Sequence, residues 1–273
     1  MKRIFLTAGV LAMTAITAQA ADLPQAIAAR GHLQLTVNGT YAPMEYVDPA
    51  TGKLTGLDID LGEAIAARLG TKVEWSDTAF AQLITSLTSG RSDFIISGLS
   101  DRASRRETMD FIDYLSTGAQ FLVKEDASYQ AMTDLCGHKV GTSRSTSFPD
   151  EIKKWSDANC VAAGKPAIEY APADNSIDAR NQLKQDRIDA VVQGSETLPY
   201  AMQNEPGKYR ILGTPFTLGY QGIAFRKKDT QLREAVTEAL AALIADGTYG
   251  KILAQYGLSA NAVEKPLLNA APQ

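Results

Sequence analysis

Arg105 is the residue in this sequence whose type and position most clearly suggest binding chemistry. It follows an apolar segment at 93–97 and a short turn at 98–100. A guanidinium group holds its N–H donors in a planar fork that matches a carboxylate through two hydrogen bonds. Neighbouring Arg102 and Arg106 leave a second interpretation, a solvated basic helix start, because most arginines are exposed. An arginine at the end of a strand is thus chemically suited to hold a carboxylate.

Two further polar groups follow predicted strands in the second half of the chain. The hydroxyl-rich loop 142–147 opens a helix, where free backbone N–H groups and the helix dipole favour anions. Simple capping by Thr146 or Ser147 is the alternative interpretation of this loop. Glu196 comes shortly after the apolar strand 187–192 and is the carboxylate best placed to act on a ligand.

These groups need a scaffold that brings strand ends together, and the hydrophobic pattern predicts one. Short apolar strands alternate with amphipathic helices from 33 to 97, and the alternation begins again near Gly137. Open α/β sheets bind ligands beyond the carboxyl ends of their strands. The sequence therefore predicts an α/β protein with two lobes. A strong amphipathic helix is expected at 231–245, and the segment after Ser259 is expected to be irregular.

The first 20 residues are predicted to be a cleaved signal peptide. Lys2 and Arg3 precede an uncharged apolar stretch at 4–16, and the tripeptide AQA at 18–20 fits a cleavage site. A membrane anchor is the alternative, but the stretch is too short to span a bilayer comfortably. The predicted mature chain is soluble and exported. Its formal charge changes from −4 to −6 on cleavage, which gives no basic surface of the kind that nucleic acids require.

The two cysteines, Cys136 and Cys160, are predicted to form a disulfide. An exported chain with a small, even number of cysteines favours a bridge. Metal binding is the competing interpretation. It is disfavoured because the two histidines, His32 and His138, do not have ligand spacing with both cysteines.

Three sequence segments closely resemble the amino-acid-binding members of bacterial solute-binding protein family 3, the capture components of ABC importers. They are GLDIDL at 56–61, LTSGRSD at 87–93 and DGTY at 246–249. The resemblance extends over essentially the whole predicted mature chain. It implies a periplasmic monomer that carries an amino acid or a derivative to an ABC permease in the inner membrane.

The same resemblance implies a two-lobed periplasmic binding protein fold of type II, in which each lobe is an open, mostly parallel sheet flanked by helices. The first lobe is then discontinuous. We expect a signal peptide at 1–20, a first lobe from 21–121 plus 217–273, and a second lobe from 122–216.

By resemblance, the ligand α-carboxylate is held by Arg105, which lies six residues before Phe111. The other first-lobe positions that match the family's site are Asn38, Tyr41, Phe80, Ser97, Gly98 and Ser100. Thr146 and Ser147 match the hydroxyl position at the first helix of the second lobe. Asn38 stands where members that bind basic amino acids carry an aspartate, which argues against a lysine- or arginine-type ligand.

Gly194 departs from the family pattern. The family usually places an aspartate there, after a strand such as 189–193, to pair with the ligand α-ammonium. Either Glu196 supplies the missing charge, or the ligand has no conventional α-amino group. The sequence leaves both alternatives open.

Binding without catalysis is the predicted function, so no catalytic residue, metal site or cofactor is expected. The sequence contains no complete nucleophilic triad and no cluster of metal ligands. Some proteins of this fold dehydrate cyclic precursors of phenylalanine, so a periplasmic dehydratase of the cyclohexadienyl type is one alternative, with Glu196 as its acid. A ligand-sensing partner of a membrane receptor is the other.

Overall fold

The computed structural model describes residues 23–272, so the predicted signal peptide at 1–20 lies outside the described residues. The strands are β1 (His32–Val37), β2 (Thr40–Tyr41), β3 (Glu45–Val47), β4 (Leu54–Thr55), β5 (Lys72–Asp77), β6 (Met109–Thr117), β7 (Ala119–Lys124), β8 (Lys139–Ser143), β9 (Glu169–Ala173), β10 (Ala190–Gly194), β11 (Tyr209–Leu212), β12 (Gly219–Arg226) and β13 (Ala262–Leu268). The helices are α1 (Gln25–Arg30), α2 (Leu57–Arg68), α3 (Leu83–Thr88), α4 (Ala103–Arg106), α5 (Phe148–Asn159), α6 (Ser176–Lys184), α7 (Leu198–Asn204), α8 (Thr230–Ala245) and α9 (Thr248–Gln255). None of these helices is long and apolar enough to cross a membrane.

The first sheet is built from both ends of the chain. Strands β1 and β5 pair in parallel, whereas β12 and β13 flank β6 in antiparallel order. The apolar segment 93–97, predicted to be a strand, joins the two halves through single bridges from Phe94 to Leu35 and from Ile95 to Ala224. Successive residues of this segment therefore bridge different neighbours, which gives a junction instead of a continuous ladder.

Helices α2, α8 and α9 cover this sheet because each presents an apolar face at helical spacing. Leu57, Leu61 and Ile65 of α2 are fully buried, and Val236 and Leu240 of α8 lie in the same core cluster. Side chains four residues apart share one helix face, so both helices bury a continuous stripe. Each large aliphatic side chain buried in this way contributes about 1.5–3 kcal/mol.

The C-terminal segment is not irregular, and the expectation that it would be is wrong. Strand β13 pairs with β6, with Leu267 opposite Asp113 and Leu268 opposite Ile112. The register shifts between Ala262 and Leu267. This strand contains Pro266, which is tolerated because β13 lies at an edge of its sheet and needs no N–H donor on its outer side.

The second sheet is formed by one continuous stretch of chain and has the order β11-β7-β10-β8-β9. Strands β8, β9 and β10 run parallel, and β7 and β11 run antiparallel to the neighbours with which they pair. The disulfide predicted between Cys136 and Cys160 is confirmed, with a Cα–Cα distance of 5.5 Å. It connects the segment before β8 to the end of α5.

The chain passes between the two sheets twice, and the two crossings lie against each other. The first crossing is Gly118, between β6 and β7, and the second is 213–218, between β11 and β12. A Cβ atom at Gly118 would lie 2.0 Å from the carbonyl oxygen of Thr217, so only glycine allows this approach. We refer to residues 23–117 with 219–272 as the first lobe and to 119–212 as the second lobe. The lobe boundaries expected from the sequence, between residues 121 and 122 and between residues 216 and 217, stay a prediction.

Candidate ligand-binding site

A small cavity of about 20 Å³, here called the inner cavity, lies between the two lobes. The first lobe lines it with Asn38, Tyr41, Phe80, Gly98, Ser100 and Arg105, and the second lobe with Ser143, Thr146, Ser147, Phe148, Asn175 and Ser176. Eight of the ten residues predicted for the site are in this lining. The volume fits about one water molecule, so the lobes are closed on each other.

Arg105 faces this cavity with most of its hydrogen-bonding capacity available. The residue lies in the short helix α4, and its Nη1 donates to the carbonyl oxygen of Ser100 at 2.7 Å. Within residues 23–272 the guanidinium has no second hydrogen bond and no ion pair. Burial, together with the positive charge of Arg102, lowers the pKa of Arg105 to about 10. The half-buried group is therefore still charged at neutral pH. The negative charge of Asp101 acts on its pKa in the opposite direction without forming an ion pair with it.

The second lobe presents the starts of two helices to the cavity. Ser147 is the residue before α5, and its side chain forms no capping hydrogen bond. Asn175 precedes α6 and accepts a hydrogen bond from the backbone N–H of Asp178 at 2.9 Å. The N-terminal ends of helices carry partial positive charge, so both elements favour an anion or a carbonyl oxygen in the cavity.

The remaining first-lobe positions have structural contacts as well as cavity contacts. Phe80 packs partly against the core cluster around Leu83, so the cavity and core interpretations of this ring both apply. The Asn38 side chain donates to the carbonyl oxygen of Thr78 at 2.8 Å and accepts from Thr40 at 2.7 Å. One of its two N–H donors and its amide oxygen thus have protein partners.

Ser97 does not line the cavity. Its side chain is fully buried, accepts from the backbone N–H of Asn38 at 3.0 Å and donates to Glu45 at 2.9 Å. The hydroxyl therefore fixes the end of β1 to the buried carboxyl group of Glu45.

Glu196 also lies outside the lining, behind Tyr41. Its side chain is about 1% exposed. Oε1 accepts from the hydroxyl of Tyr41 at 2.8 Å and from the Gln221 amide at 2.7 Å, and Oε2 accepts from Thr117. All three donors belong to the first lobe. Burial raises the pKa of Glu196, and its carboxyl group connects the two lobes.

Gly194 has no space for the aspartate that the family usually carries. A Cβ atom there would lie 2.1 Å and 2.5 Å from the carboxyl oxygens of Glu196, and 2.5 Å from the hydroxyl oxygen of Tyr41. The carboxyl group of Glu196 thus occupies the space where a side chain at 194 would begin. Compared with the family pattern, the acidic side chain therefore comes from position 196 instead of position 194. Its carboxyl group already accepts hydrogen bonds from Tyr41 and Gln221.

Two more buried carboxyl groups lie next to this contact. Asp58 accepts from Tyr114 at 2.6 Å and from the backbone N–H of Gly98 at 2.8 Å. Burial raises the pKa of Asp58 to about 6, and burial beside Asp58 raises the pKa of Glu45 well above its ordinary value. Oε2 of Glu45 is buried and has no donor, which fits a protonated Glu45 that donates to Asp58. Asp58, in the first turn of α2, thus holds the turn at Gly98.

A larger cavity of about 820 Å³, here called the outer cavity, adjoins the inner one. The two cavities share six lining residues, Tyr41, Ser100, Arg105, Thr146, Ser147 and Phe148. Its walls include aromatic residues of the second lobe and both crossings. Its charged lining residues are Asp101, Arg102, Arg105, Asp150, Glu151 and Lys154. Arg102 pairs with Glu151 across the lobes, and Asp101 pairs with Arg106. Asp150 and Lys154 are exposed.

Four lining residues were not predicted for the site: Ser143, Phe148, Asn175 and Ser176. Ser143 lies in the hydroxyl-rich loop already noted, and Phe148 directly follows it. Asn175 carries a local signal, because asparagine before a helix is a frequent cap. No local signal shows that the start of α6 faces the first lobe, since that depends on how the lobes pack. In the part of the chain described, no group of three histidine, cysteine, aspartate or glutamate side chains is arranged to hold a metal ion.

Residues 33–259 match the sequence model of the bacterial extracellular solute-binding proteins, family 3. The histidine-binding periplasmic protein of Salmonella typhimurium is 30% identical over 267 residues, 94% of this chain and 97% of that protein. The arginine-binding protein of Corynebacterium glutamicum is 29% identical over 253 residues, 92% of this chain and 83% of that protein.

A solved structure supports the same assignment. The ancestral amino-acid-binding protein AncCDT-1, described as a precursor of cyclohexadienyl dehydratase, superposes with a TM-score of 0.76 at 28% identity. The match covers 85% of this chain and 97% of that chain. The architecture is the two-lobed type II fold of amino-acid-binding proteins, as predicted. With more than half of its length matched by the family model, the chain belongs to the bacterial extracellular solute-binding proteins, family 3.

Proposed function

We propose that this protein captures an amino acid or an amino-acid derivative between its lobes in the periplasm and delivers it to an ABC permease. The observation that carries the proposal is Arg105, a charged and desolvated guanidinium with a single hydrogen bond that faces a cavity lined by both lobes. A charge that is partly removed from water and has no ion-pair partner is costly, so a carboxylate ligand would compensate it. The names of the relatives, histidine-binding and arginine-binding proteins, support the amino-acid class.

Capture requires the lobes to separate. The inner cavity is too small for an amino acid in the closed form, and Glu196 and the pair Arg102–Glu151 connect the lobes. Gly118 and the segment 213–218 are the two covalent links, so rotation about them would open the site.

A dehydratase is the second candidate, because one structural neighbour is described as a precursor of such an enzyme. Catalysis would need an acid within reach of the ligand. Glu196 was the best candidate from the sequence, and its position behind Tyr41 with three donors favours binding over catalysis.

A thermal-shift screen of carboxylates, amino acids and their derivatives tests the proposal on the mature chain. A ligand at a hundred times its dissociation constant stabilises the folded protein by about 2.7 kcal/mol. Small-angle scattering with the best ligand should show compaction relative to an open unliganded form. Failure of every carboxylate to raise the melting temperature would contradict the proposal, as would turnover of a cyclic dehydratase substrate.

A further inference from the structure

The charge that lines the inner cavity is positive only. Of its twelve lining residues, Arg105 is the charged one, and the other eleven are neutral at pH 7. The starts of α5 and α6 face it from the second lobe, opposite Arg105. A guanidinium on one lobe and two positive helix ends on the other give the space a positive potential from both sides.

The position that would balance a ligand ammonium group is filled by the protein itself. Gly194 offers no side chain, and the hydroxyl of Tyr41 lies 2.5 Å from where its Cβ would be. The carboxyl group of Glu196 accepts from Tyr41, Gln221 and Thr117, so its oxygens are directed at first-lobe donors. Three protein donors, two hydroxyls and an amide, thus already bind the carboxyl group that a ligand N–H group would need.

The carboxylates of the outer cavity do not replace this partner. Glu151 is paired with Arg102 and accepts from Thr217 at 2.8 Å, and Asp101 is paired with Arg106. Asp150 is exposed on the first turn of α5, where water screens its charge. An ammonium group next to a carboxylate on Arg105 would therefore be desolvated without a buried anion.

We infer that the ligand is a carboxylate with a neutral polar group at its α-position, such as an N-acylated amino acid or a 2-hydroxy acid, and that free α-amino acids bind more weakly. This inference rests on the proposed function, since it names the ligand class of the same site. The neutral hydroxyls and amides of the lining can bind a neutral amide or hydroxyl substituent, and the outer cavity leaves room for the rest of a larger molecule.

Matched triplets of ligands test the inference by isothermal titration calorimetry on the mature chain. Each triplet shares one side chain and differs only at the α-position: L-glutamine, N-acetyl-L-glutamine and the 2-hydroxy analogue, with the corresponding sets for leucine and phenylalanine. The neutral members should bind at least about tenfold more tightly than the free amino acid, as expected when a site leaves a polar group unpaired. The two neutral arms distinguish an acyl from a hydroxyl substituent.

Tighter binding of the free amino acid in every triplet would overturn the inference while leaving the proposed function intact. Failure of all members to bind would instead contradict the proposed function, and the inference with it.

A redesigned site gives an independent measurement. The triple variant Gly194→Asp, Glu196→Ala, Tyr41→Phe restores an acid at 194 and removes the two groups that crowd it. Its circular dichroism spectrum should match the wild type, and its preference should move toward the free amino acid by about tenfold. Preference for the free amino acid already in the wild type, unchanged in the variant, would show that the position near 194 does not select the ligand.

Discussion

Arg105 in the first lobe is half-buried and Glu196 in the second is buried, and the surroundings of these two ionisable residues are opposite. Arg105 has one hydrogen bond, to a backbone carbonyl, and faces a cavity. Glu196 accepts three hydrogen bonds and lies behind the cavity wall. Burial alone therefore does not identify a ligand-binding group. A ligand-binding group is identified by hydrogen-bond donors that have no partner in the protein, because a desolvated charge without such partners is stabilised when a ligand binds it.

The largest effect that this comparison predicts is on ligand affinity at Arg105. Arg105→Ala should weaken binding of a carboxylate ligand by about 2–5 kcal/mol, because a desolvated carboxylate would be left unpaired. Calorimetry with the tightest member of the glutamine triplet measures it. Arg91→Ala, which removes an exposed arginine outside the lining, is the matched control and should bind as the wild type does. Equal affinity of both variants would show that the free donors of Arg105 do not bind the ligand.

The second prediction concerns the buried carboxyl groups beside Glu196 and the pH dependence of stability. The folded-state pKa of Asp58 is about 6 against an ordinary value of 3.8. The folded protein therefore holds an extra proton between about pH 4 and pH 6, and its stability decreases as pH rises through that window. At 1.36 kcal/mol per pKa unit, Asp58 alone accounts for about 3 kcal/mol, and Glu45, whose pKa is also raised, adds a loss in the same direction.

Urea denaturation at pH 5 and pH 8.5 measures the part of this loss that lies above pH 5, which is about 1.4 kcal/mol for Asp58. Glu45→Gln removes one titrating group and keeps its shape, so the variant should lose less free energy of unfolding between the two pH values than the wild type. Glu107→Gln, an exposed carboxylate, serves as the control and should follow the wild-type curve. A wild-type protein that becomes more stable toward pH 8.5 would contradict the raised pKa values of Asp58 and Glu45.

The third prediction concerns Glu196 as a contact between lobes. Glu196→Gln replaces charge-assisted hydrogen bonds by neutral ones and should weaken closure by about 1–2 kcal/mol. The affinities for N-acetyl-L-glutamine and L-glutamine should fall by the same factor, because the carboxyl group contacts the protein and not the ligand. Glu264→Gln on the exposed side of β13 is the control. A selective loss of the free amino acid would make Glu196 an ammonium partner after all.

The smallest predicted effect is at Ser147. Its hydroxyl lines the cavity and forms no capping hydrogen bond, so Ser147→Ala should leave stability nearly unchanged and reduce affinity by about 0.5–1.5 kcal/mol. Ser145→Ala, in the same loop but outside the lining, should change neither quantity. Loss of stability without loss of affinity would instead assign Ser147 to the helix start alone.

The sequence predicts those features of the fold that depend on residues close together along the chain. The amphipathic stripe of α8 and the alternation that produces β1 are local patterns, so their bounds agree with the structure to within one or two residues. Strand β13 could not be predicted, because Glu264, Lys265 and Pro266 interrupt its pattern and only pairing with β6 orders it.

The site residues also separate into those that the sequence identifies and those whose contacts depend on distant parts of the chain. Arg105 follows from the resemblance to the family and the hydroxyl loop from its position before a helix, whereas the partners of Ser97 and Glu196 follow from neither. The contact between Ser97 and Glu45 joins residues 52 positions apart, and that between Glu196 and Tyr41 joins residues 155 positions apart. The hydrogen-bond partners of a side chain depend on such distant contacts, which the local sequence does not contain.

The double crossing at Gly118 and 213–218 also determines the order in which the lobes can be completed during synthesis. The second lobe is one continuous segment that ends near residue 212, and its disulfide closes within it. Strand β6 receives its partners β12 and β13 only when residues 219–268 have emerged. Until then both edges of an apolar strand are open, a state that invites aggregation. We expect the second lobe to fold first and the nascent first lobe to be the part that needs protection.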